Sequence, residues 1–323
     1  MPSSYAIDEL PKIDKYPDGT TVPSPKAIDF KPGELLGCVS GELGLRKFLE
    51  DAGHTLVVTS SKDGEGNVAD KELIDADIVI SQPFFPYYLT REKMESAKNL
   101  KMAITAGIGS DHVDLQAAMD NNVDVIEVTF CNSRSVAEHI VMMIISMVRD
   151  YHTQHAIAKS GGWNIADGVK RSYDVEGMNI GTVAAGRIGL DVLRKMKPFD
   201  VHLHYFDRHR LPDSVEQELN LTFHESVESM IAVCDVVTIN CPLHPETEHL
   251  FDAAMISKMK KGAYIVNTAR GKICDKDAIA AALESGQLSG YAGDVLFPQP
   301  APNDHVWRTM PNNGMTPHTS GTS

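Results

Sequence analysis

The sequence predicts an α/β protein with two Rossmann-like, doubly wound parallel-sheet domains and an active-site cleft between them. Three observations predict this fold. Short apolar runs alternate with helical patterns, the alternation occurs in two series joined by one long helix, and 323 residues suffice for about two domains of roughly 150 residues. Apolar strands that alternate with helices pair in parallel, with helices on both faces of the sheet.

The first series follows a stretch rich in Pro, Gly, Asp and Thr over 11–33, which is typical of an irregular arm or a linker. A helix is predicted over 43–51, closed by Gly53, and another begins at Asp111 after the third strand. Apolar runs predict strands, and these lie at 55–59, 77–80, 100–106 and 123–128.

The junction helix is predicted over 133–151, with Ser133 and Ser135 as candidate N-caps. Its apolar residues nearly encircle the axis, which predicts burial between domains or subunits. The second series follows this helix, with helices at, for example, 188–196 and 276–284. Its strands are predicted at 179–184, 201–205, 235–240, 263–267 and 288–292.

Composition excludes several classes of protein. The chain has 30 basic and 44 acidic residues and a net charge of -14, and binding to nucleic acid needs clustered basic residues. The longest uncharged apolar run covers 140–148, whereas a membrane span needs about 20 residues. The N-terminus shows no secretory signal. We therefore expect a cytoplasmic protein without a membrane or nucleic-acid partner.

Cysteine and histidine spacing gives little support for a metal site. The 5 cysteines are scattered without a C-x-x-C pair, which argues against a disulfide framework and against structural zinc. The pairs His202/His204 and His152/His155 have spacings that could hold a metal, but neither has an obvious third ligand nearby in the sequence. No metal is expected.

The strand at 179–184 runs directly into Gly186-Arg187-Ile188-Gly189 and a helix, which is the order of a dinucleotide-binding turn. Ala184 takes the first glycine position. Gly186 allows the backbone to approach a pyrophosphate, and Gly189 allows close packing of helix on strand. The helix N-terminus adds amide donors and a positive dipole end.

An acidic residue follows at the expected distance. Asp207 lies at the end of the next strand, where it would bind the adenosine ribose and repel a 2′-phosphate, which favours NAD over NADP. The adjacent Arg208 could accommodate a phosphate in part. A structural α/β crossover with an ordinary surface Asp is the alternative reading of these residues.

Polar residues also follow the strands of the second series, where such folds bind ligands. Arg270 could hold a carboxylate with two parallel hydrogen bonds. His318 could act as an acid, a base or an orienting donor. Taken alone, an exposed structural Arg and a locally satisfied His are the alternatives.

The order of these residues resembles the D-2-hydroxyacid dehydrogenase superfamily, with Arg270, Asp294, Pro298-Gln299-Pro300 and Pro317-His318-x-Ser320-Gly321 after the dinucleotide turn. More narrowly, the chain resembles the metal-free, NAD-dependent formate dehydrogenases. Matching stretches cover nearly the whole chain, at 40–46, 82–84, 105–115, 131–133, 181–190, 199–212, 240–249, 262–272, 297–302 and 310–321.

The resemblance implies oxidation of formate to CO2 by direct hydride transfer to NAD+. Because no proton is transferred, positioning and electrostatics replace general acid–base catalysis. Arg270 would hold formate and His318 would complete the grip. The other implied substrate contacts are Asn132, Gly109, the backbone of Ile108, and an apolar wall of Pro83 and Phe84.

Gln299 discriminates between substrates in this family. The hydroxyacid dehydrogenases pair the histidine with a glutamate that raises its pKa for proton shuttling. A neutral Gln299 would fix the tautomer of His318 without forming an acid–base pair, which suits formate and disfavours a lactate-type substrate.

By the same resemblance, the cofactor contacts run from the adenosine to the nicotinamide end of NAD. These residues are Ser133, Gly186, Arg187, Ile188, Gly189, Asp207, Arg208, Pro242, Leu243, His244, Pro245, Glu246, Thr268, Asp294, His318, Ser320 and Gly321.

The resemblance also implies the division of the chain. Residues 1–132 would form the substrate domain, 133–318 the NAD domain, and 319–323 the start of a return to the substrate domain, which a longer C-terminal tail completes in the family. A homodimer through the helix at 133–151 and its neighbours is expected. Another D-2-hydroxyacid dehydrogenase, or a truncated NAD-binding protein without activity, is the alternative.

Overall fold

The structure is a computed structural model that describes residues 45–322. The predicted arm over 11–33 and the first two residues of the predicted helix over 43–51 lie outside the described residues. The rest of that helix is present as Leu45–Asp51.

The first sheet contains three parallel strands in the order β1-β2-β3. Leu89, Met94 and Ala117 belong to the buried core beside it. Its strands are β1 (Ile78–Ser81), β2 (Met102–Thr105) and β3 (Asp124–Glu127), and the accompanying helices are Val68–Leu73, Arg91–Ser96 and Leu115–Asp120.

Two predictions in this region are wrong. Residues 55–59 form no strand; Val57 and Val58 are exposed, and a strand needs a hydrogen-bonded neighbour and a buried face. The helix after β2 begins at Leu115 and not at Asp111, because the Asp114 side chain accepts a hydrogen bond from the Ala117 N–H (2.9 Å) and caps the helix there.

The second sheet is a seven-stranded parallel sheet in the order β10-β9-β8-β7-β4-β5-β6. The strand order reverses between β4 and β7, which is the switch point where such sheets bind ligands. Its strands are β4 (Asn179–Val183), β5 (His202–Phe206), β6 (Leu221–Phe223), β7 (Val236–Ile239), β8 (Ala263–Asn267), β9 (Leu288–Gly293) and β10 (Asn313–Met315).

The five strands predicted for the second series are confirmed, and their ends agree to within one residue. The three-residue strands β6 and β10 were not predicted, because so short a run carries little periodic signal. The further helices of this part of the chain are Tyr151–Lys159, Ile165–Val169, Arg187–Met196, Asp213–Leu219, Val227–Ile231, Ala253–Ser257 and Lys276–Glu284, with 3₁₀ turns at Lys197–Phe199, Gly271–Ile273 and Val306–Arg308.

The junction helix covers Ser133–Val148 and is shorter than predicted, because Asp150 adopts a left-handed conformation with φ 52°. Asn132 occupies the N-cap position, so neither predicted serine cap is correct. Ile140 and Ile144 on this helix are fully buried in a core shared with Arg187–Met196. Between residues 45 and 322, no helix is both long and apolar enough to cross a membrane.

Candidate active site

The candidate site lies where loops after strands of one sheet meet loops after strands of the other. Parallel strands place all their carboxyl ends at one edge, so side chains distant in sequence converge there. Pro83 and Phe84 follow β1, Ile108 follows β2 and Asn132 follows β3, whereas Asp207, Asn240, Arg270, Asp294 and His318 follow β5, β7, β8, β9 and β10.

Arg270 crosses the cleft. Its Nε donates to Asp111 Oδ1 (2.5 Å), and its Nη2 donates to the carbonyl oxygen of Ile108 (2.9 Å). Its Nη1 donates to the carbonyl oxygen of Ala269 (2.7 Å). Three hydrogen bonds therefore fix the guanidinium between the two sheets.

Gly109 makes this approach sterically feasible. A Cβ atom at this position would lie 1.7 Å from Arg270 Nη2. The residue also has φ +101°, a conformation that L side chains rarely adopt. Only glycine fits both the backbone angle and the neighbouring guanidinium.

Gln299 connects His318 to the loop that follows β1. Its side-chain nitrogen donates to the carbonyl oxygens of Pro83 (3.1 Å) and Phe84 (2.8 Å) and lies 2.6 Å from His318 Nδ1. The amide has two N–H groups for these three acceptors, so the two carbonyls share one of them and the other points to Nδ1. The neutral His318 therefore accepts at Nδ1 and carries its proton on Nε2.

The surroundings of His318 disfavour its charged form. Burial, and secondly the positive charge of Arg270, lower the pKa of His318 to about 4, whereas Asp294 and Asp111 act in the opposite direction. The Phe84 ring stands edge-on to the imidazole at 6.2 Å between centroids. The imidazole is thus neutral near pH 7.

Asp294 organises the turn that carries the histidine. Its carboxylate accepts hydrogen bonds from Thr316 Oγ1 (2.6 Å) and from the backbone N–H groups of Thr319 and Ser320 (2.8 Å each). The carboxylate is fully buried, so these donors compensate its loss of hydration. Asp294 and Ser320, which are both predicted cofactor residues, are thereby in direct contact.

Asn132 lies at the start of the junction helix and packs against the same turn. A Cβ atom at Gly321 would lie 2.4 Å from Asn132 Nδ2. Asn132 Oδ1 and Ser133 Oγ are buried and have no hydrogen-bond partner within residues 45–322. Both polar atoms are therefore available to a ligand.

A small cavity of ≈ 100 Å³ adjoins these groups. Arg270, Gln299 and Pro83 line it together with residues that the sequence did not single out, namely Tyr88, Asp111, His112, Lys272, Leu296 and Phe297. Asp111 and His112 lie inside the matching stretch 105–115. Their position in the sequence does not show that the loop after β2 places them beside Arg270, which follows a strand of the other sheet.

The dinucleotide turn has the predicted backbone geometry. Ala184 has φ 72°, in the left-handed region where glycine is favoured. A Cβ at Gly189 would lie 2.2 Å from the Ala184 carbonyl oxygen, whereas a Cβ at Gly186 would meet nothing within 4 Å. The turn is tight on its inner side and open at the start of helix Arg187–Met196.

Asp207 contacts this turn directly. Its carboxylate accepts hydrogen bonds from the backbone N–H groups of Ala185 (2.8 Å) and His209 (3.0 Å). Beside it, the Arg187 guanidinium lies over the Phe130 ring, 3.0 Å from the centroid. The carboxylate of Asp207 is thus held at the edge of the turn.

The remaining predicted cofactor residues surround the same sheet edge. Pro242, Leu243, His244, Pro245 and Glu246 follow β7, Thr268 follows β8, and Arg208 follows β5, while Ile188 lies in the first turn of helix Arg187–Met196. Asn240 Oδ1 is buried without a hydrogen-bond partner in the described part of the chain. The open glycine, the helix N-terminus and these acceptors fit a dinucleotide.

The histidine pairs with metal-like spacing have other contacts. His204 Nδ1 lies 3.0 Å from His224 Nε2, and its Nε2 lies 3.0 Å from Asn179 Oδ1. The His155 ring stacks on Tyr151. Within residues 45–322, no group of three or more His, Cys, Asp or Glu side chains is arranged to hold a metal ion.

Comparison with known proteins agrees with this geometry. The family model for the D-isomer specific 2-hydroxyacid dehydrogenase NAD binding domain matches residues 141–320. The formate dehydrogenase of Pseudomonas sp. (strain 101) is 70% identical over 322 residues, which cover 100% of this chain and 80% of that protein.

Solved structures give the same result. A Granulicella m. formate dehydrogenase has a TM-score of 0.87 and 64% sequence identity, with 100% of this chain and 85% of that chain covered. The NAD-dependent formate dehydrogenase of Staphylococcus aureus in complex with NAD has a TM-score of 0.82 and 44% identity, with 93% and 88% covered.

Proposed function

The chain belongs to the D-isomer specific 2-hydroxyacid dehydrogenase family, in its formate dehydrogenase branch, and from this premise we propose that it oxidises formate to CO2 with NAD+. The observation that carries the proposal is the contact between His318 and the neutral amide of Gln299. A histidine with an amide partner is set up to orient a substrate, whereas a proton-shuttling histidine needs a carboxylate partner.

Arg270 is proposed to bind the formate carboxylate, and we call it the substrate grip. A guanidinium carries five N–H groups, and three of them are used by Asp111, Ala269 and Ile108. The two that are left belong to Nη1 and Nη2, and both remain available to the oxygens of a carboxylate. Asn132, whose Oδ1 is buried and whose Nδ2 lies against Gly321, is proposed to contribute further contacts.

His318 is proposed to donate from Nε2 to a formate oxygen. Gln299 fixes this tautomer, and the pKa of about 4 keeps the ring neutral. The ring can thus orient formate without losing a proton. Pro83 and Phe84 are proposed to confine the substrate, since their carbonyls anchor Gln299 and the Phe84 ring contacts His318.

NAD+, when bound, supplies the nicotinamide ring that accepts the hydride of formate. The open backbone at Gly186 and the N-terminus of helix Arg187–Met196 are proposed to bind the pyrophosphate. Asp207 is proposed to bind the ribose and to repel a 2′-phosphate. The other predicted cofactor residues are retained as proposed contacts, since they follow strands of the same sheet edge.

Domain boundaries, assembly and location are further proposals. We propose a substrate domain over 1–132 and an NAD domain over 133–318, with 319–323 leading back toward the first. The exposed apolar residues Trp163 (96%), Ile165 (85%) and Val169 (72%) support a homodimer that covers them. The four free cysteines of the described residues support a reducing compartment such as the cytoplasm.

An absorbance assay for NADH tests the proposed activity. Formate should give NADH with NAD+, whereas D-lactate should give little NADH with NAD+ and glyoxylate little oxidation of NADH. Activity with a hydroxyacid or ketoacid pair at a rate comparable to formate would contradict the assignment. A light-scattering mass of one chain in solution would contradict the homodimer.

A further inference from the structure

A carboxylate sits on the arginine that is proposed to bind an anionic substrate. Asp111 Oδ1 accepts the Nε–H of Arg270 at 2.5 Å. The two residues come from opposite sides of the cleft and are 159 positions apart in sequence. Their side chains are only 34% and 17% exposed, so the pair is less screened than a surface ion pair.

The contact also decides which face of the guanidinium a substrate can use. Asp111 covers the Nε edge, while the Ile108 and Ala269 carbonyls each take one N–H of Nη2 and Nη1. One N–H of Nη1 and one N–H of Nη2 make up the face left for a carboxylate. Asp111 therefore orients Arg270 without competing for that face.

The substrate loses its negative charge during the reaction. Formate begins as an anion and leaves as neutral CO2 once its C–H bond breaks and hydrogen departs with both bonding electrons. A cation at the carboxylate thus stabilises the reactant more than the transition state, and such binding strengthens substrate affinity while slowing the chemical step. A carboxylate on the same guanidinium offsets part of this effect.

The other charged groups nearby are already paired. Asp294 is saturated by three hydrogen-bond donors. Lys272, which lines the same cavity, forms an ion pair with Glu248 at 3.2 Å. Asp111 is therefore the charge in direct contact with the proposed grip.

We propose that Asp111 is a positioning and charge-balancing residue: it fixes the free face of Arg270 toward formate and weakens the positive field there, so that hydride loss is faster at the expense of formate affinity. This inference rests on the proposed oxidation of formate. It is distinct from a mere bridge between the two sides of the cleft, which would affect stability alone.

The test is Asp111→Asn, because asparagine keeps the size and an Oδ1 acceptor for Nε but removes the charge. The KM for formate should fall about tenfold and kcat should fall by a similar factor, since one partly shielded charge a few ångströms away is removed. The kinetic isotope effect on kcat with deuterated formate should be at least as large as in the wild type.

Nitrate provides a readout that needs no turnover. It is a planar, unreactive anion with oxygens spaced much like those of a carboxylate. Calorimetry in the presence of NAD+ should show about tenfold tighter nitrate binding by Asp111→Asn. Asp111→Glu, which retains the charge, should keep kcat and KM closer to wild type, and it serves as the test variant if asparagine prevents folding.

Asp120→Asn is the matched control. Asp120 also pairs with an arginine, at 2.7 Å from Arg91 Nη2, but both side chains are largely exposed and lie on the outside of the first sheet's helices. This variant should leave kcat, KM and nitrate affinity unchanged. A similar change in both variants would mean that overall net charge, and not Asp111, sets formate affinity.

Other outcomes overturn the proposal. A raised KM with unchanged kcat for Asp111→Asn would mean that Asp111 only holds Arg270 in place. Unchanged kcat and KM would mean that Asp111 has no role in formate oxidation. If wild-type protein produced no NADH from formate, the proposed function would fail. Tighter nitrate binding by Asp111→Asn would in that case still support charge balancing at Arg270.

Discussion

The dinucleotide turn is made by backbone atoms of neighbouring residues, whereas the substrate grip is made by side chains that meet across the cleft. Ala184, Gly186 and Gly189 fall within six positions of one another and set the turn by their angles and missing side chains. Arg270 and Gln299 reach partners 159 to 216 positions away. A site of the first kind depends on the backbone angles and close approaches of one short stretch, and one of the second kind depends on single side-chain atoms.

Removing the Arg270 side chain should give the largest effect, because it disrupts the substrate site and leaves the dinucleotide turn intact. Arg270→Ala removes the charged partner of the carboxylate, and we expect kcat/KM for formate to fall more than a hundredfold, as for a buried charge pair. NAD+ affinity, measured by calorimetry, should change less than threefold. Formate turnover within tenfold of wild type would contradict the role of Arg270.

Arg91→Ala is the control for that experiment. It removes an equal charge from an exposed ion pair with Asp120, and exposed pairs contribute little. Formate kinetics should not change. Arg270→Lys should restore little activity, because lysine lacks the planar pair of donors.

A glycine substitution tests how tightly the grip is packed. Gly109→Ala places a Cβ 1.7 Å from Arg270 Nη2, so the guanidinium must move and kcat/KM should fall about a hundredfold, as expected for misplacement of a substrate-positioning group. Gly53→Ala is the matched control, since Gly53 also has a positive φ of +85° but open space at Cβ. Equal kinetics for the two variants would show that Arg270 tolerates displacement.

A smaller effect is expected at the dinucleotide turn. Asp207→Ser removes the carboxylate that would repel a 2′-phosphate, and Arg208 is adjacent, so the kcat/KM ratio of NADP to NAD should rise severalfold or more. An unchanged NADP-to-NAD ratio of kcat/KM would mean that Asp207 does not contact the adenosine ribose.

The same contrast explains what could be predicted from sequence. The second sheet and its dinucleotide turn follow from local signals, namely continuous apolar strands and the spacing from Ala184 to Gly189. The grip residues Arg270, Gln299 and His318 were identified by their resemblance to a family. The partners of Arg270 were not, because Asp111 and the Ile108 carbonyl reach it only after the two sheets face each other.

Local sequence patterns gave wrong predictions for two elements whose structure depends on tertiary contacts. Residues 55–59 have the composition of a strand, but they pair with no strand within residues 45–322 and are irregular and largely exposed. The helix after β2 starts late because Asp114, and not Asp111, supplies its cap. Asp111 is instead used by Arg270, which no helix-capping rule can foresee.

The central claim is that a neutral His318 orients formate without moving a proton, and the pH dependence of kcat/KM tests it most directly. The pKa of His318 lies near 4, below the ordinary value of about 6.5, so the neutral ring persists at pH values well below neutrality. The wild-type profile should be flat from about pH 6 to pH 9 and fall only on the acid side. Gln299→Glu should move that fall to higher pH, since an added anion raises the histidine pKa. A wild-type bell centred near neutrality would contradict the account.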